Sequence, residues 1–191
     1  MKFGARRPSP ARSLLVVITL LGLIPRLEAG VVLNEFMAAA GLRHVERTET
    51  GAPRLGSGVH WTDSAFDDRS WTNAPLPAGY GFTGLATDLT SRMKNKAYSL
   101  YLRRSFQVSP EQADLGLALV LKIQINDGFV AYLNGREIAR ANCGPTNHLM
   151  CASQPAYNVM TSTNSVDYTI GLASDWLQPG TNISVSPSGL D

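Results

Sequence analysis

The sequence predicts an all-β chain folded as an antiparallel β-sandwich. Residues 115–125 alternate in hydrophobicity, two turn signals divide the segment that follows, and further β-prone segments stand at 31–38, 97–108 and 166–170. In the first of these observations Leu115, Leu117, Leu119, Leu121, Ile123 and Ile125 fall on one face, with Gly116, Ala118, Val120, Lys122, Gln124 and Asn126 on the other. A period of two is a strand. Burying the Leu/Ile face contributes roughly 9 to 18 kcal/mol gross, most of it offset by ordering entropy, so this segment is the expected centre of the core.

The alternation breaks at Asn126-Asp127-Gly128, residues that tolerate a reversal. Extended pattern resumes over 129–133 and turns again at Asn134-Gly135. Asn-Gly between apolar residues predicts a type I′ hairpin, since both positions accept positive φ and the turn matches strand twist. The reading is strand, turn, strand, tight turn, strand, ending near Arg140.

Taken from its start, the chain opens with Lys2, Arg6, Arg7 and Arg12, then an apolar run over 14–24 broken only by Thr19 and Gly22, then Pro25 and Leu27-Glu28-Ala29. This is the layout of a secretory signal peptide, with cleavage expected after Ala29 and localisation secreted, periplasmic or at the cell surface. A membrane anchor is the competing reading, but about 11 residues are too few for a helix to cross a ~30 Å hydrocarbon core, so no stable span is expected once the leader is cleaved. Residues 30–58 read as a short strand, VVLNEFMA, followed by irregular chain and the loop GAPRLGSG. The sandwich module is assigned to 59–191.

A dense aromatic segment follows: Trp61, Phe66-Asp67-Asp68, Ser70-Trp71, and Gly79-Tyr80-Gly81-Phe82. Two readings stand. The rings pack over one end of the core, or Trp61, Trp71 or Tyr80 is a stacking platform for a sugar ring, with Asp67 or Asp68 accepting hydroxyl hydrogen bonds. Structural calcium on Asp67, Asp68 and Asp127 is a minor alternative, because the spacing of a calcium loop is absent. In 97–108, Tyr98, Leu100, Leu102, Phe106 and Val108 share a face with Arg104, which calls for a bulge or for a guanidinium presented to a ligand. The bulge is the preferred explanation.

FDDRSW (66–71), GYG (79–81), YLRRSF (101–106), DGFVAYLNG (127–135) and the residues from Glu137 to Asn142 together resemble a known family. The chain is similar, over about 59–182, to galactose-binding-like jelly-roll modules of large secreted bacterial proteins. These proteins, of planctomycete type, also carry lamin-tail-like or spore-coat-kinase-like domains or metallophosphoesterases; VVLNEFMA resembles the opening of a lamin-tail-like segment. The resemblance implies a jelly-roll sandwich with sugar affinity in some members, and it supplies no catalytic set; fold alone does not carry function. In that family a Pro-Gly-Thr-Asn turn leads into a closing strand of alternating apolar residues. Here the turn at 179–182 is followed by ISVSPSGLD, in which only Ile183 and Val185 suit such a strand, so a truncated product is expected.

Cys143 and Cys151 flank a loop in a chain read as exported, and a disulfide between them would add roughly 2.5 kcal/mol. With His148 they would leave a zinc site one ligand short, so no metal site is assigned. Lys+Arg at 17 against Asp+Glu at 15 give a formal charge of +2, much of it in the leader, and no clustered basic face suggests nucleic acid. His44, His60 and His148 sit in no catalytic motif, and there is no phosphate loop, HExxH helix or Gly-x-Ser-x-Gly elbow. The expected role is that of a non-catalytic accessory module packed against neighbouring domains. The alternative is a carbohydrate-binding module using Trp61, Trp71, Tyr80, Arg104, Asp127 and Asn134.

Overall fold

The computed structural model describes residues 14–22, 35–38, 60–97, 99–114, 116–125, 127–146, 155–158 and 165–189, with 14–22, 35–38 and 185–189 described by their backbone alone. The strands are β1 (Leu14–Gly22), β2 (Glu35–Ala38), β3 (Thr72–Asn73), β4 (Ala78–Tyr80), β5 (Thr87–Asp88), β6 (Ser99–Val108), β7 (Ala118–Ile125), β8 (Gly128–Leu133), β9 (Arg136–Ala141), β10 (Val166–Leu172) and β11 (Gly180–Gly189). They form a five-stranded sheet, β10-β7-β1-β4-β5, and a six-stranded sheet, β3-β2-β6-β11-β8-β9. All pairings are antiparallel except the short β4–β5 pair. The all-β antiparallel sandwich expected from the alternation is the fold observed.

Leu119, Leu121 and Ile123 of β7 are at most 2 % exposed and meet Leu100, Leu102, Phe129, Ala131 and Leu133 of the opposing sheet, so the alternating segment is indeed the core's centre. Its outer end departs from expectation: Leu117 is exposed. The turn after β7 is also not a hairpin. Asp127, at φ 67°, carries the chain from the five-stranded sheet into β8 of the other. The second turn is as predicted, with Leu133 opposite Arg136 and Asn134 and Gly135 at φ 50° and 81°, a two-residue loop of the I′ kind.

β8 reads FVAYL after its glycine without polar alternation, and the fold supplies the reason. Phe129, Ala131 and Leu133 enter the core between the sheets, while Val130 and Tyr132 enter a second core on the outer side of the six-stranded sheet. A strand buried on both faces loses the polar half of its pattern. Gly128 begins β8 under a close approach, since a Cβ there would lie 2.7 Å from the Asn142 carbonyl oxygen and 3.2 Å from that of Ala141. Backbone cannot yield as a side-chain tip can. Gly128→Ala is therefore expected to lower stability by about 2–3 kcal/mol in chemical denaturation, whereas at Gly116, with open space around it, the same change should stay within about 0.5 kcal/mol.

β6 runs from Ser99 to Val108 against β11 in unbroken register, from Gly180 opposite Val108 to Gly189 opposite Ser99. The bulge expected between Leu102 and Phe106 is absent. The closing strand is likewise longer than the two residues expected of it: β11 spans Gly180–Gly189. Backbone pairing with β6 on one side and β8 on the other tolerates Ser and even Pro187 without an apolar side chain at every second position. The sandwich also draws two strands from before residue 59. β1 lies in the middle of one sheet, between β7 and β4, and β2 lies beside β6 in the other.

Candidate functional site

The 61–71 part of the aromatic and aspartate segment folds over the outer face of the six-stranded sheet, not over an end of the sandwich. Trp61 is 1 % exposed and meets Tyr101 edge-on at 4.9 Å and Tyr132 at 5.9 Å; Trp71 is 8 % exposed and packs on Phe66. Edge-to-face packing of this kind adds to the burial of ring area. The fastening is Arg103, the neighbour of the residue singled out by the sequence. On a strand of period two, Arg103 follows Tyr101 onto the outer face, where it is 1 % exposed. Its Nε donates to Asp68 Oδ2 at 2.7 Å and its Nη1 donates to the Trp61 carbonyl at 2.8 Å. The guanidinium also lies 5.5 Å from the Phe66 ring centroid. One side chain thus ties the segment's two halves to β6.

Beyond this clasp the outer core ends in a buried ion pair, Arg140 to Glu137 at 2.9 Å, beside Tyr132 and Cys143. Burial, and then the negative charge of Glu137, push the Tyr132 phenol from its ordinary 10.0 up to about 12. Burial likewise raises the Cys143 thiol, whose Sγ donates to the Phe129 carbonyl at 3.0 Å. Cys143 is a free thiol in this structure; Cys151, its expected partner, lies outside the described residues, as do His44 and His148. The folded state holds the Tyr132 proton more tightly than the unfolded chain does, so its contribution to stability is intact below pH ~10 and is lost as pH rises towards ~12. Denaturation midpoints should fall across that window, and Tyr132→Phe should flatten the fall.

The residues assigned to a ligand site do not form one cluster. Trp61 and Trp71 belong to the outer core, while Tyr80 is buried between the sheets near Asp127, which is buried at the crossing between them; burial first, and then the charge of Asp127, raise the Tyr80 phenol. Neither Trp61 nor Trp71 has a free face for a sugar ring, which corrects the platform reading for both. Asn134 is used to hold strands together: its Nδ2 donates to Asn182 Oδ1 at 2.8 Å and its Oδ1 accepts from the Ile183 amide at 2.8 Å. Arg104 differs. It points to the inner face opposite Ser184, is partly buried, and its Nε and Nη1 are enclosed without a hydrogen-bond partner among the described residues. Loss of hydration lowers its pKa from the ordinary arginine value.

Sequence reasoning missed two residues here. Trp176 follows a 3-10 turn, Ala173–Asp175, and stays partly exposed with the Arg136 guanidinium 4.0 Å from its ring centroid. Its carbonyl accepts from Asn134 Nδ2 at 3.3 Å, and Arg136 Nη1 donates to the Asp175 carbonyl at 3.1 Å. Lying 40 residues from its partner, this ring offers no local pattern to read. Arg103 was legible, since an arginine alternating with Tyr101 marks a second buried face.

The aspartates of the calcium reading are dispersed. Asp67 is clamped by Arg69 through contacts of 2.8 and 2.6 Å, which hold its carboxyl down at about 2, and Asp68 is taken by Arg103. Among the described residues no three His, Cys, Asp or Glu side chains gather as a metal site, and no helix is long and apolar enough to cross a membrane.

No family model matches the chain, and no curated protein does. Among solved structures it is similar to a β-glucuronidase of an uncultured Clostridium species, at 17% identity and a TM-score of 0.47, covering 99% of this chain and 24% of that one. It is also similar to a Ruminococcus gnavus β-glucuronidase, at 15% identity and a TM-score of 0.48, covering 92% of this chain and 21% of that one. A Bifidobacterium dentium β-glucuronidase, determined in complex with coumarin-3-O-glucuronide, is 13% identical with a TM-score of 0.45, covering 96% of this chain and 21% of that one. The chain spans less than a quarter of the length of each.

Proposed function

We propose that this chain is a non-catalytic accessory β-sandwich module of an exported protein, with a structural role against a neighbouring domain. The observation that supports this reading is the burial of Trp61 and Trp71 beneath the Arg103 clasp. A segment rich in rings and carboxylates, the chain's best material for a binding surface, is used to cover a sheet. Leu117 and Leu172, both exposed and at the ends of the two strands joined where the Ala173 amide donates to the Leu117 carbonyl, offer apolar area to a neighbour.

A second reading, carbohydrate binding, is favoured by Trp176, whose partly exposed ring with the Arg136 guanidinium 4.0 Å from its centroid offers a surface that a sugar can meet. Tryptophan fluorescence of the purified chain, titrated with galactose-, mannose- and glucose-containing oligosaccharides, separates the two. The structural role predicts blue-shifted emission that no sugar moves. A saturable change abolished by Arg136→Ala or Trp176→Ala, with folding intact, would replace it with the carbohydrate reading.

A further inference from the structure

The apolar run that the sequence presents as a leader has a place in the fold. β1 pairs with β7 at seven consecutive positions, from Val16 opposite Ile125 to Gly22 opposite Leu119, and with β4 at three. β4 is itself three residues long and is followed outward only by the two residues of β5. Without β1 the five-stranded sheet would therefore separate into the pairs β10-β7 and β4-β5. Both edges so exposed carry buried core residues: Leu119, Leu121 and Ile123 on one, Ala78 and Tyr80 on the other. The segment LLVVITLLG has no proline and no charge, so every amide and carbonyl in it is available to the two flanking strands.

We infer that the gap between β4 and β7 is a strand-acceptor site and that its occupant is the chain's own Leu14–Gly22 segment. Cleavage after Ala29 would cut the connection between β1 and β2, which lies outside the pairing of either strand. The severed segment then stays seated by its backbone ladder, in the manner of an added strand. Once it leaves, the vacated gap suits an extended, uncharged apolar segment, because two antiparallel edges must be satisfied over a buried floor.

The full chain tests this in two ways. With a protease recognition sequence inserted between residues 24 and 30 and cut after folding, the N-terminal fragment should remain bound through gel filtration. Ile18→Pro should release it at least tenfold faster, since proline removes an amide from the ladder opposite Ile123. Independently, Thr19→Cys with Lys122→Cys should oxidise to a disulfide, because that register places the two Cα atoms about 4.5–5.5 Å apart. The off-register pair Thr19→Cys with Gln124→Cys should not. Immediate release of the unsubstituted fragment after the cut, or bridging of the off-register pair as readily as the register pair, would each overturn the assignment of this occupant.

Discussion

Arg103→Leu is expected to lower stability by about 3 kcal/mol, a fall of roughly 10 °C in the melting temperature of a domain this size. The leucine would cover similar area, so the loss comes from the groups left behind. The Trp61 carbonyl loses a donor at 2.8 Å inside the outer core, and Asp68 loses its 2.7 Å partner. Asp68 is 31% exposed and recovers part of its loss from water, which holds the figure to the low end for a broken buried pair. Arg104→Leu, one residue along the same strand, should be neutral or stabilising by up to ~1 kcal/mol, because it removes enclosed donors that have no partner among the described residues. Chemical denaturation of the two variants, read by circular dichroism, makes the comparison. Equal losses would mean that the clasp does not hold the 60–71 segment.

Trp61→Ala should cost about 3–5 kcal/mol. The ring is 1 % exposed and stands between Tyr101 and Tyr132, so its removal leaves a cavity that two other rings cannot close without giving up their edge-on contacts. Near-ultraviolet circular dichroism should lose most of its aromatic signal before the far-ultraviolet strand signal changes, since the outer core lies outside the sandwich proper. Trp61→Phe, which keeps part of the area, should recover about half of the loss. If Trp61→Ala left stability unchanged while abolishing a sugar-dependent signal, the ring would be a binding surface after all, and the structural role would fall.

Much of the fold follows from short-range pattern. The alternation of 115–125 places Leu119, Leu121 and Ile123 in the core, and Asn134-Gly135 makes its turn, because side-chain parity and positive φ are local properties of the chain. Which sheet a strand joins is not local. Asn126-Asp127-Gly128 looks like a hairpin turn yet carries the chain across the sandwich, and the apolar run at 14–22 has the composition of a leader yet pairs as a central strand. Local composition is the same in both cases.

The candidate site separates along the same line. An arginine among apolar strand residues was visible as a problem, but parity and partner decide which arginine is sealed: Arg103 meets Asp68 across 35 positions of sequence, while Arg104 faces Ser184. Trp176 and Arg136 lie on separate elements and are joined only when β11 and β8 bring Asn134 beside Asn182. By itself the sequence determined the period, the turns and the presence of a sandwich, since these rest on steric and hydrophobic preferences within a few residues. The second core, the clasp beneath the aromatic segment, and the strand between β4 and β7 were decided by tertiary structure, because each depends on a partner that only the folded chain brings within reach.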